Sequence, residues 1–334
     1  MIGKSDEKQD VTLSVKRGMD DPTIFECVAT HLDLRDKVRC MGVSAEWMRL
    51  MRAHLSNGID CTGQRVPLAG LCSLRALCPG APMTVGACDV SPRSNLSDAV
   101  VEAIRDLRTL DLAGSKVTWR DRAYLSPIVA SVRRLYVGRA SECVLRWPMP
   151  NLKELTVRGS QLGAVIDDLP ERLDALCLDR CRASVLPPDA FRRWIRGLRV
   201  ARLTFSDTQL GDSLVEIVAD ELHEDTRVLE LERAMFKRRG AEAIARAIRR
   251  ISTLRDVNVQ GNRIADTGFL AIARSARRRI QHLDISECGI SCRGADAGLE
   301  ALSGSTKLLT LWTKGNHGDD AFADAGTRLG VVTL

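Results

Sequence analysis

The chain has 334 residues, 45% of them hydrophobic and 28% charged, with a formal net charge of +6. That composition is ordinary for a globular protein and excludes a disordered or low-complexity chain. No apolar run is long enough to span a membrane, and the start MIGKSDEKQD lacks the layout of a secretory leader, so a cytoplasmic protein with no membrane partner is expected.

Residues 1–18 read as a polar tail. Residues 19–52 carry apolar side chains at helical spacing, with Ile24, Phe25, Val28 and Leu32 followed by Val38, Met41 and Trp47. Asp21-Pro22 is a helix start, because proline at the first helical position gives up an amide hydrogen that has no partner there anyway. Three short helices with this much apolar surface imply a partner. The alternative is a helical cap on whatever follows, with Trp47 as its buried anchor. Residues 53–106 read as a linker and cap: Pro67, Pro79, Pro82 and Pro92 break the segment, and Leu71-x-x-Leu74-x-Ala76 resembles a degenerate repeat. Cys72, Cys78 and Cys88 have no standard zinc spacing and no nearby histidine, so no metal is expected.

From residue 107 to 334 one pattern returns nine times. Its anchors are Leu110, Leu135, Leu155, Leu176, Leu203, Leu229, Val257, Leu283 and Leu309, each followed two residues later by another apolar residue. Five residues after the anchor stands a small polar or thiol residue in several repeats: Ser160, Cys181, Thr208, Asn262 and Cys288. Spacings of 20 to 28 residues with this internal layout predict an α/β leucine-rich-repeat solenoid, a horseshoe of short parallel strands and returning helices. The paired apolar residues point inward from a strand, and the residues between them point out. The short intervals around Leu155 and Leu176 leave little room for a full helix. A partial unit, Leu329 to Leu334, adds a last strand.

Chemistry is harder to find. The five histidines are scattered, no phosphate-binding loop follows a strand, and Cys177-Leu-Asp179 lies inside a repeat strand with no catalytic domain behind it. No enzyme activity and no cofactor are expected. Basic clusters at Arg192-Arg193, Lys237-Arg238-Arg239 and Arg277-Arg278-Arg279 fall on or beside the returning helices, with no interleaved aromatics for base stacking, so no nucleic acid is expected as a partner. The outward strand positions are the better site. Tyr136, Arg158, Arg202, Glu230, Glu232, Asp256, Asn258, Gln260, His282, Asp284 and Trp312 should stand in columns on the concave face, basic early and acidic late, and hold a protein substrate.

The segment from Asp20 to Leu50 resembles an F-box. Pro22 opens the first helix, Ile24-Phe25 is the apolar pair, Val28, Leu32 and Val38 continue it, and Val43-Ser44-x-x-Trp47 matches the V-s-x-x-W signature, although Asp21 stands where leucine is usual. An F-box ahead of leucine-rich repeats is the order of F-box/leucine-rich-repeat proteins. The resemblance implies a non-catalytic adaptor of a Skp–cullin–F-box ubiquitin ligase, docking a Skp-family subunit through residues 19–52 and holding its substrate on the repeats. Gly-Ala at 240–241 and 294–295 is also similar to a bacterial effector group with GA-x-ALA repeats, which implies action in a host cytosol. The alternative is a repeat scaffold with no ubiquitin role.

Overall fold

The computed structural model describes residues 108–333 except 115, 184–185, 324 and 326–328, together with 49–50, 53, 55, 59–61, 66–67 and 83–89. The F-box-like residues Pro22, Ile24, Phe25, Val28, Leu32, Val38, Val43 and Trp47, and the segment Leu71 to Ala76, lie outside the described residues. No described helix is long and apolar enough to cross a membrane.

The chain divides into two units, residues 1–132 with 148–150, and residues 133–147 with 151–334. In the first, β1 (Ile59–Cys61), β3 (Met83–Asp89) and β4 (Thr109–Leu112) pair in parallel, and β2 (Val66–Pro67) pairs with β3. Val85 stands in register with Leu110. The parallel ladder therefore begins earlier than the repeat pattern at 107 suggested. A register shift between Val85 and Ala87 breaks the alternation that would have shown it in the sequence. Helix α1 (Arg122–Ser131) follows a 3-10 turn and buries Leu125, Ile128 and Val129.

In the second unit nine described strands run in sequence order, all parallel. They are β5 (Arg134–Gly138), β6 (Glu154–Arg158), β7 (Arg172–Asp179), β8 (Arg199–Ser206), β9 (Val228–Glu232), β10 (Asp256–Asn258), β11 (His282–Asp284), β12 (Thr310–Trp312) and β13 (Val332–Thr333). The connections become regular along the chain. A 3-10 segment, Arg139–Arg146, joins β5 to β6, and one helical turn, α2 (Leu162–Val165), joins β6 to β7, as the short intervals require. Full helices then appear: α3 (Pro188–Gly197), α4 (Gly211–Glu221), α5 (Arg238–Arg250), α6 (Ala265–Ala276) and α7 (Cys292–Leu302), with one more turn, α8 (Asp319–Phe322). Parallel strands alternating with helices, one turn of chain per repeat, form a leucine-rich-repeat stack.

The anchors pair with one another. Leu135, Leu155, Leu176, Leu203, Leu229, Val257, Leu283 and Leu311 are register partners in turn, all at most 2% exposed. The last anchor is thus Leu311 and replaces the predicted Leu309, which precedes the strand and is 54% exposed. Leu309 and Leu311 have the same parity, so apolar alternation alone cannot choose between them. The choice is made five residues on, where Leu311 is followed by Asn316 and Leu309 by Lys314.

That fifth position stitches several repeats to the one before, while Ser160 Oγ is buried without a hydrogen-bond partner among the described residues and Ala234 carries no polar group. Asn262 Nδ2 donates to the carbonyls of Leu231 (2.6 Å) and Val259 (2.8 Å). Asn316 Nδ2 donates to Ile285 (2.9 Å) and Thr313 (2.6 Å), and its Oδ1 accepts from the amides of Cys288 and Ile290. Thr208 Oγ1 donates to Leu178, Cys181 Sγ to Val157 and Cys288 Sγ to Val259. All five residues are buried, so each bond replaces one that water cannot supply.

One position earlier the backbone turns left-handed in successive repeats: Gly159, Arg180, Asp207, Arg233, Gly261, Glu287 and Gly315 have φ between 45° and 79°. Each of these amides from Gly159 to Glu287 donates to a carbonyl of the following repeat, for example Gly261 to Ser286. Non-glycine residues pay a steric penalty there. Arg233 and Asp207 offset part of it with a two-pronged ion pair, Nε to Oδ1 at 2.6 Å and Nη2 to Oδ2 at 3.3 Å.

The returning helices are close because their facing residues are small. In α5, Gly240, Ala241, Ala243, Ala245 and Ala247 are all buried, leaving Arg246, Arg249 and Arg250 exposed. A Cβ on Gly240 would stand 2.7 Å from the Phe236 ring, and one on Gly268 would stand 2.9 Å from Ala241 Cβ. The Gly-Ala pairs of the sequence are therefore helix-packing positions.

Candidate binding face

Inward alternation leaves three outward rows on the sheet of the second unit, at one residue before the anchor and at one and three after it. Because anchors are in register, residues in a row are neighbours on adjacent strands. The row after the anchor runs Tyr136, Thr156, Cys177, Thr204, Glu230, Asn258, Asp284 and Trp312. All eleven residues assigned to the face by sequence are on these rows.

Seven of them meet. Arg202, Glu230, Asp256, Asn258, His282, Asp284 and Trp312, with Val228 and Val257, line a pocket of about 280 Å³ across β8 to β12. Tyr136 and Arg158 stand on β5 and β6 and do not line it, while Glu232 ends β9 and Gln260 lies two residues past the end of β10. Val228 was not among the residues assigned from sequence; its row is otherwise polar except for Ala175.

The expected charge gradient changes once the pairs are resolved. At the early end Arg134 pairs with Glu154 at 2.9 Å and Arg158 with Asp179 at 2.6 Å, so those cations are answered within the sheet. At the late end the pocket has three carboxylates, Glu230, Asp256 and Asp284, against Arg202. Glu230 accepts from Thr204 Oγ1 (2.6 Å) and Asp284 from the Ser286 amide (2.9 Å). Glu232, beside the pocket, accepts from Asn258 Nδ2 (2.8 Å) and Ser206 Oγ (3.1 Å). Asp256 differs: its Oδ1 is buried and has no hydrogen-bond partner among the described residues. The Trp312 indole is half-buried and tilted against the His282 ring, with centroids 6.1 Å apart. His282 Nδ1 lies 3.2 Å from Thr310 Oγ1.

Cys177 lies on the same face, but burial, with Asp179 and Glu230 beside it, pushes its thiol up to about 11. A nucleophilic cysteine needs the opposite environment. Burial likewise pushes Cys181 to about 11 and Cys288 to about 12. These shifts favour the folded state fully below the ordinary thiol value of 9.0, and the benefit is lost as pH rises from there through 11 and 12. Stability in urea should accordingly fall steeply above pH 9, and iodoacetamide at neutral pH should label exposed Cys292 while sparing Cys177, Cys181 and Cys288, as read by peptide mass spectrometry. Equal labelling of all four would contradict this.

The helix side offers less for a ligand. Arg192 and Arg196 both bond Glu221, Arg239 bonds Glu216, and Arg238 bonds Glu242. Arg250 donates to the carbonyls of Ala219 and Leu222. Arg192, Arg196, Arg239 and Arg250 tie adjacent repeats together, while Arg238 and Glu242 pair within α5. No group of metal-holding side chains occurs among the described residues.

No protein-family model matches the sequence, and no curated protein matches it. Among solved structures the chain is similar to an internalin (inlF) from Listeria monocytogenes str. 4b F2365, with 15% identity and a TM-score of 0.46 over 84% of this chain and 88% of that one.

Proposed function

We propose that the chain is a non-catalytic adaptor whose repeat sheet holds a protein partner on the outward rows of β8 to β12. The observation that carries this is the pocket there, where charged, polar and aromatic side chains from five successive strands converge on the side opposite the helices. Aromatic and charged groups in a half-buried hollow are the usual anchors of a protein interface. Placing arginine at both Glu230 and Asn258 should abolish capture of the partner by the tagged full chain, whereas Arg246→Glu on the helix side should leave capture intact. Loss with the helix-side change alone would overturn the reading.

The finer reading is a substrate adaptor of a Skp–cullin–F-box ligase, and what supports it is the F-box resemblance of residues 22–47. On that reading a Skp-family subunit docks on residues 19–52, and holding the substrate beside the ligase raises the local concentration of its lysines. A Skp subunit should co-purify with the chain, and Trp47→Ala should weaken that binding by on the order of 2 kcal/mol or more. A folded chain that binds no Skp subunit would remove the ligase role and leave a repeat scaffold.

A further inference from the structure

We infer that the pocket beside Trp312 receives an arginine side chain of the partner, an inference that rests on the sheet face being a protein-binding surface. Charge comes first. Three carboxylates line the pocket against Arg202, which is exposed and makes no ion pair among the described residues. The early rows neutralise their own cations, so this is the part of the face where a basic group gains most.

The hydrogen bonding singles out one carboxylate. Glu230, Glu232 and Asp284 each accept from a donor of the sheet itself. Asp256 lines the pocket half-buried, with Oδ1 shielded from water and unanswered. A carboxylate whose charge no donor of the sheet shares is costly to keep half-buried, and a cation entering the pocket beside it offsets that cost.

The wall of the pocket selects among cations. The tilted Trp312 and His282 rings offer flat faces over which a guanidinium stacks, whereas an ammonium is compact and holds its water more strongly. Acceptors spread over β9, β10 and β11 also suit a planar fork with five donors better than a point charge. A volume of about 280 Å³ fits one side chain and falls below most small-molecule sites.

The test uses the full chain with 15N-labelled tryptophan and three short peptides identical except for one central arginine, lysine or citrulline. The Trp312 indole resonance, one of five tryptophan signals, is assigned with Trp312→Phe. The arginine peptide should shift it saturably, the lysine peptide should bind several-fold more weakly, and the citrulline peptide, with the same shape and no charge, should leave it unmoved. Asp256→Asn should weaken the arginine peptide by tenfold or more while its thermal melt shows no loss of stability. Equal binding of the citrulline peptide, unchanged binding by Asp256→Asn, or no shift up to about 20 mM, well above the millimolar range of one such contact, would each overturn the inference. A captured protein that ignores Asp256→Asn but is lost with arginine at Asn258 would refute the arginine pocket alone and leave the protein-binding face standing. Peptide binding with no protein captured would support the pocket and count against the wider reading.

Discussion

Asn316→Ala is expected to cost about 3 to 5 kcal/mol. The amide is buried and makes four hydrogen bonds, two to carbonyls and two from the amides of Cys288 and Ile290. Alanine leaves all four backbone groups without partners where water does not reach, and orphaned amides are the rarer and costlier kind. Asn262 offers an internal comparison, since its Nδ2 serves three carbonyls while its Oδ1 has no partner. Asn262→Ala should therefore cost less, about 2 to 3 kcal/mol. Urea unfolding of both variants measures the difference, and an equal or reversed order would mean that the donors at Cys288 and Ile290 find other partners.

The second large effect has a sign that helix propensity alone gets wrong. Gly298 lies inside α7, where Gly→Ala would ordinarily stabilise by about 1 kcal/mol. A Cβ there would overlap the ring of Phe269, which is fully buried in α6 and packed edge-on to Phe322 at 5.8 Å. Gly298→Ala should thus destabilise by about 2 to 3 kcal/mol. Adding Phe269→Leu should recover part of that loss, because the smaller side chain gives up the space. A double-mutant cycle with no coupling between the two sites would contradict the packing.

Both effects trace back to how the pattern is written in the chain. The repeat architecture is legible because the two inward positions must be apolar and because, in several repeats, a polar or thiol fifth residue satisfies buried backbone, so the constraints recur at fixed offsets. Leu309 and Leu311 share a parity, so alternation alone does not fix the register of the last repeat, which is set by Leu311 and not by the expected Leu309. Leu308 three residues before Leu311, and Asn316 five after it, were the signals that decide it. The strands before residue 107 carry no regular alternation for a local reason: the register shift in β3 interrupts it, and Pro67 closes β2.

The site was legible in part. Alternation places side chains on a face, so Arg202, Glu230, Asp256, Asn258, His282, Asp284 and Trp312 could be grouped from sequence. Which of them keep their charge could not, because that depends on exact neighbours. Arg158 and Asp179 are paired only because β6 and β7 align those two residues. The depth of Trp312, half-buried against His282, likewise follows from contact between adjacent strands.

Site-specific photo-crosslinking tests the central claim most directly. A photoreactive amino acid is placed at Asn258 on the open sheet and, in a separate chain, at Arg246 on the exposed helix side. Irradiation should yield one recurring crosslinked protein from Asn258 and none of it from Arg246. The same protein crosslinked from Arg246, with none from Asn258, would show that the sheet is not the face that holds a partner.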